Sequence, residues 1–119
     1  MAQRSTAAPP TAPTLCMVVT TPGAQHGRTF VLRDDGRDRF IGSSSRADVP
    51  IDDPSVSHRH ARLRWHGTEL VIRDLATRCG THLNGTRFRG AHYLRDGDEV
   101  RIGDVEVHVE VRLPASSSS

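Results

Sequence analysis

Three short stretches of the chain concentrate residues suited to holding an anion. The first is Ile41-Gly42-Ser43-Ser44-Ser45-Arg46-Ala47-Asp48. The second is Asp53-Pro54-Ser55-Val56-Ser57-His58-Arg59-His60-Ala61. The third is Asp74-Leu75-Ala76-Thr77-Arg78-Cys79-Gly80-Thr81, running on to Asn84-Gly85. Hydroxyls and glycine let several backbone N–H groups converge on one negative group, and arginine adds charge-assisted, two-pronged hydrogen bonds. Such equipment grips a phosphate.

Other chemistries fit these residues less well. Ser57, His60 and Asp74 have the types of a hydrolytic triad, yet no G-x-S-x-G elbow precedes a helix, and no helix is expected to carry one. Cys79 beside Arg78 has the neighbour that lowers a thiol's pKa, but an inert loop cysteine is the expectation. His58, His60, Cys79 and His82 contain metal-ligand types, whereas catalytic zinc needs three convergent ligands and an open position. No catalytic residue, metal or cofactor is expected.

Composition narrows the class further. The chain has 119 residues, enough for one domain, and a net charge of +2. It contains no lysine, so every basic side chain outside histidine is an arginine fork. Acidic residues are interspersed with the arginines, and aromatics are few, which speaks against a nucleic-acid stripe with stacking rings. Cys16 and Cys79 form no CxxC pair and suit a reducing cytoplasm. No apolar run approaches membrane-spanning length. Residues 1–14 and 114–119 read as disordered tails around a domain at 15–113, expected to act as a monomer.

The elements that must position the loops are strands. Ala61, Leu63 and Trp65 alternate with His60, Arg62 and Arg64, and Val105, Val107, Val109 and Val111 share the face opposite Glu106, His108 and Glu110. Asn84-Gly85 is the dipeptide of a type I′ hairpin. Val49-Pro50-Ile51 is a strand whose proline confines it to an edge or bulge. Leu70, Ile72, Val100 and Ile102 join the expected core, and Trp65, Tyr93, Phe30, Phe40 and Phe88 are expected to share it. About ten short strands, with turns between them, make an all-β sandwich.

At this point the chain resembles the forkhead-associated (FHA) domain family, from Leu15 to Leu113. Val56-Ser57-His58-Arg59-His60-Ala61 is similar to that family's V-S-x-x-H-A element. Asp74-Leu75 with Gly80-Thr81-His82-Leu83-Asn84-Gly85 is similar to D-L-x-S-x-N-G-T-x-x-N-G, and Leu94 to Gly103 to L-x-x-G-D-x-[IV]-x-[IL]-G. The resemblance implies an eleven-stranded sandwich, non-catalytic, whose loops at one end bind a phosphothreonine segment of a kinase or kinase substrate. It implies that Ser57 donates its hydroxyl to the phosphate and that His60 braces the loop. Gly42 would allow a tight turn beneath the site, while Asn84 and Gly85, with Gly80 before them, shape the third loop. Ser43, Arg46, Ser57, Arg59, Thr77, Arg78, Cys79 and Asn84 are the candidate contacts.

Two positions depart from the family pattern. Its G-R pair is Gly42-Ser43 here, and its asparagine before Gly80 is Cys79. A hydroxyl carries no charge and a thiol is a poor hydrogen-bond partner. One hydrogen bond to a charged group is worth about 1.5–3 kcal/mol, or about one to two decades of affinity. Arg59 and Arg78 stand where they can compensate or simply face solvent, and Arg46 reads as a solvated group. Two alternatives stay open: a degenerate domain binding its partner without phosphate, and an arginine-rich nucleic-acid binder.

Overall fold

The structure, a computed structural model, describes residues 12–23 and 25–113. These form eleven strands: β1 (Thr14–Val19), β2 (Thr29–Arg33), β3 (Arg39–Gly42), β4 (Val49–Pro50), β5 (Ala61–His66), β6 (Glu69–Asp74), β7 (Thr81–Leu83), β8 (Thr86–Phe88), β9 (Ala91–Leu94), β10 (Glu99–Ile102) and β11 (Val105–Arg112). The described residues contain no helix. One sheet has the order β2-β1-β11-β10-β7-β8 and the other β4-β3-β5-β6-β9. The tails expected before Leu15 and after Leu113 lie mostly outside the described residues. Where they are described they differ, since Pro13 is buried and Thr14 already pairs with Arg112 in β1.

Alternation decides which side chains meet between the sheets. Leu15, Met17 and Val19 of β1, Val105, Val107 and Val109 of β11, and Val100 and Ile102 of β10 are buried against Ile41, Ala61, Leu63, Leu70 and Ile72. Removing that apolar area from water is the main force closing the sandwich. Pro50 falls, as its missing N–H requires, on the edge strand β4, which pairs in parallel with β3. Asn84 (φ 50°) and Gly85 (φ 88°) both take positive φ, and they join β7 to β8 in the hairpin expected of Asn-Gly.

The aromatic residues share the core only in part. Phe88 is buried, but Trp65, Phe30 and Phe40 are only partly so, and Tyr93 is half exposed. Trp65 stands near the end of β5, opposite Leu70, beside the turn at Gly67. Tyr93 pairs with Val71 on the outer face of edge strand β9, while its neighbour Leu94 points inward. Aliphatic side chains and Phe88 fill the interior, and Phe30 and Trp65 pack against it only partly buried.

Candidate functional site

The three anion-holding stretches become adjacent loops because their backbones hydrogen-bond one another. After β3, the Ser43 N–H donates to the Ser57 carbonyl at 2.9 Å, and Ser44 N–H to His58 at 3.4 Å. The His60 N–H donates to Ile41, and the Leu75 N–H to the His60 carbonyl. Gly42 is required here for a reason other than a tight turn. Its φ is not in the left-handed region, and a Cβ at this position would overlap the His58 carbonyl group. Only a residue without a side chain lets the first loop lie on the second.

His60 joins the second loop to the third. Its ring is fully buried, with Nδ1 accepting the Ser57 N–H at 3.1 Å and Nε2 at 2.8 Å from the Gly80 carbonyl. Because Nδ1 accepts, Nε2 carries the proton and donates to Gly80. The Thr77 hydroxyl lies 3.2 Å from the same Nε2, receives the Gly80 N–H and donates to Asp74. Burial pulls the His60 pKa below its ordinary value, outweighing Gly80 and Asp74, which favour the charged ring. The imidazole is therefore a neutral brace. Burial also works to raise the Asp74 carboxyl, but hydrogen bonds from Thr81, Thr77 and the Ala76 backbone prevail and hold it below the usual range. Ala76 itself takes φ 59°, a left-handed conformation costing an L-residue about 1–2 kcal/mol.

These bonds dispose of the triad. His60 Nδ1 faces the backbone N–H of Ser57, and the Asp74 oxygens face Thr77 and Thr81. No relay from hydroxyl through imidazole to carboxylate exists in this arrangement. With both ring nitrogens engaged, His60 also has no lone pair to give a metal. Among the described residues no group of three His, Cys, Asp or Glu converges on a metal position.

The candidate contacts separate into three places. Ser43 and Ser57 line one open depression together with His58, Val56, Pro54, Asp52 and Asp53. Asp53 is occupied there, receiving the N–H and hydroxyl of Ser55, whose oxygen accepts the Asp104 N–H and ties the loop to the start of β11. Arg46 and Arg59 line an adjoining depression with Phe40, Ser44 and Ala47, and His58 borders both. The Arg59 guanidinium lies 4.8 Å from the centroid of the Phe40 ring, a cation–π stack that fixes its plane. Arg78 and Cys79 are exposed on the third loop, and Arg78 lines neither of these two depressions. Thr77 is buried as part of the brace. Asn84 sits at the far end of β7 from these loops. It exchanges bonds with Asp98 and Glu99, so its side chain holds the hairpin against β10. Gly80 (φ 80°) and Gly85 keep the loop-shaping places expected of them.

Comparison with known proteins matches this geometry. The FHA domain family model matches residues 39–103, more than half of the chain. The chain belongs to the FHA domain family. The FHA domain-containing protein FhaA of Mycobacterium tuberculosis is 34% identical over 85 residues, covering 71% of this chain and 16% of FhaA. A solved FHA structure described in terms of phosphothreonine-dependent interactions superposes with a TM-score of 0.71 at 30% identity, covering 82% of this chain and 95% of that one. The Mycobacterium tuberculosis EmbR structure, in complex with a low-affinity phosphopeptide, gives a TM-score of 0.71 at 29% identity and covers 89% of this chain and 26% of that one. The chain spans under a fifth of the length of the first curated relatives it matches. FHA domains are non-catalytic interaction modules.

His58 was not among the residues singled out for binding. Its only sequence signal was its place directly after Ser57, on a strand-free loop. The structure puts it on the border between the serine depression and the arginine depression.

Proposed function

We propose that this FHA domain docks, without catalysis, onto a phosphothreonine-bearing segment of a partner in Ser/Thr-kinase signalling. The observation that carries the reading is the buried His60 brace. It holds the Ser57 loop and the Thr77–Gly80 loop in one arrangement, while the Ser57 hydroxyl makes no hydrogen bond among the described residues. In this reading Ser57 gives its O–H to the phosphate, and Ser43 stands beside it in place of the family's arginine. Arg59, its plane set by Phe40, supplies charge from the adjoining depression. A pre-set site of this kind loses little entropy on binding. The two free cysteines, Cys16 and Cys79, suit a cytoplasmic setting.

A second reading has its own observation. Ser43 and Cys79 stand at the family's arginine and asparagine positions, which leaves room for a domain that recognises its partner without phosphate. Calorimetry with a phosphothreonine peptide library and its unphosphorylated twin separates the two. Binding that needs the phosphate, and that Ser57→Ala weakens by about one to two decades at unchanged melting temperature, supports docking on phosphothreonine. Equal binding to both libraries establishes the phosphate-independent domain.

A further inference from the structure

Beside the third loop, three arginines border one hollow of about 420 Å³ that shares no lining residue with the Ser57 depression. Arg73 directly precedes Asp74 at the end of β6, Arg87 lies on β8, and Arg89 follows that strand; Asp74, Ala76, Thr77 and Gly90 complete the wall. All three arginines are exposed. Some arginine forks elsewhere are spent on carboxylates, as Arg39 is on Asp35 and Asp48 and Arg64 on Asp38, whereas these three gather around one hollow. Among the described residues Arg73, Arg87 and Arg89 have no carboxylate within ion-pair distance. Arg87 spends one nitrogen on the carbonyls of Thr77 and Arg78, at 3.3 and 3.4 Å, and keeps its other donors. Asp74 is the one acidic residue in the wall, and its oxygens are taken by Thr77, Thr81 and the Ala76 N–H. The hollow is thus a cationic site with free donors, whose one anion, Asp74, already has its hydrogen bonds filled.

We infer that this hollow is a second anion site, which takes a phosphate or carboxylate side chain carried by the same partner segment as the phosphothreonine. The inference rests on the phosphothreonine reading for its first anchor. The two sites share the third loop. Thr77 lines the hollow, and its hydroxyl contacts the His60 ring whose opposite nitrogen holds Ser57. An extended segment advances about 3.3 Å per residue, so flanks of two to five residues reach roughly 7–17 Å from the phosphothreonine. Three unpaired forks against one saturated carboxylate leave a net positive field for the flank to meet. This second site supplies, away from Ser57, attraction that the chain lacks beside Ser57, where the family has its arginine.

The test takes the strongest phosphothreonine peptide from the library and makes three versions of it. One carries alanines about two to five residues from the phosphothreonine on either side, one carries glutamates there, and one a second phosphothreonine. Calorimetry at low and physiological salt compares them on the parent and on the double variant Arg73→Ala/Arg89→Ala. Arg87 is left intact because it supports the third loop. The expected result is a gain of roughly tenfold for the anionic versions at low salt, from two exposed ion pairs, shrinking as salt rises. The gain should vanish in the double variant, while its melting temperature and its affinity for the alanine version stay unchanged. Glutamate and second phosphate differ in charge, so their relative gains name the natural anion. No gain from either anionic version, or a gain that survives the double variant, overturns the inference and leaves the phosphothreonine reading standing. Displacement of the anionic peptides by random duplex DNA at physiological salt also overturns it, assigning the patch to nucleic acid. If no version binds, the phosphothreonine reading fails. The side-chain N–H resonances of Arg73 and Arg89 then decide alone, by moving or not moving as inorganic phosphate is added.

Discussion

Replacing His60 by alanine tests the brace directly. The change leaves the Ser57 N–H without its acceptor, and an orphaned donor in a half-buried loop costs about 1–3 kcal/mol. The Gly80 carbonyl loses one bond but keeps the Gly103 N–H at 3.1 Å, so its share is about 1 kcal/mol. Truncating a fully buried ring adds about 2 kcal/mol, at the low end for large-to-small core changes. The expected total is about 4–6 kcal/mol, a large part of the about 5–15 kcal/mol that holds a domain of this size together. A domain of this length loses about 4–8 °C per kcal/mol, so the melting temperature should fall by roughly 20 °C or more. Differential scanning calorimetry reads that shift, and amide hydrogen exchange should show protection lost first at Ser57 and Gly80. A variant that melts within a few degrees of the parent, with those amides still protected, would refute the brace.

Gly42→Ala should cost about 1–3 kcal/mol, because the new Cβ meets the His58 backbone, which cannot swing aside; urea unfolding checks it. Ser43→Arg should tighten phosphothreonine binding by roughly tenfold, by adding a guanidinium to the depression that holds Ser57, as calorimetry would show. Acid should act through His60. Its folded pKa lies below the unfolded value of 6.5, so the unfolded chain binds the proton first and stability falls as pH drops below about 6.5. His108 has the opposite sign. Its hydrogen bond to Glu99 raises its pKa, so its contribution is present below 6.5 and is lost as pH rises through the raised value. Across pH 5 to 8, His108→Gln should melt below the parent on the acid side and converge with it as pH rises, while the acid-side loss through His60 is common to both.

The strands were legible because burial on one face writes a period of two into the sequence, as in Ala61-Arg62-Leu63 and Val105-Glu106-Val107. Asn84-Gly85 and Pro50 were legible because backbone chemistry restricts where those residues can sit. His60 was placed through its resemblance to a known motif, and the hydrogen bonds at both ring nitrogens supply the reason. Tyr93 was misplaced because strand alternation does not say which of two faces is inward when the strand lies at an edge. Gly42 carries no sign in the sequence that its neighbour in space is the His58 carbonyl. The basic hollow was invisible for a related cause. Arg73, Arg87 and Arg89 come from separate elements that only the pairing of β6 with β9 and the course of the chain after β8 bring together.

The pairing of β1 with β11 has a consequence of its own. Thr14 stands opposite Arg112, so the chain enters and leaves the domain through a neck about 5 Å wide. The β1–β11 ladder is completed by the last strand of the domain, so β1, which pairs early with β2, waits for this second partner until some ninety further residues have emerged. Folding dominated by such distant partners is slow, in the millisecond-to-second range for sandwiches. Once closed, the same neck makes the domain a cassette. A host protein can accept it in a surface loop without parting the ends of that loop, and tension on the two flanking segments would unzip β1 from β11 one pair at a time.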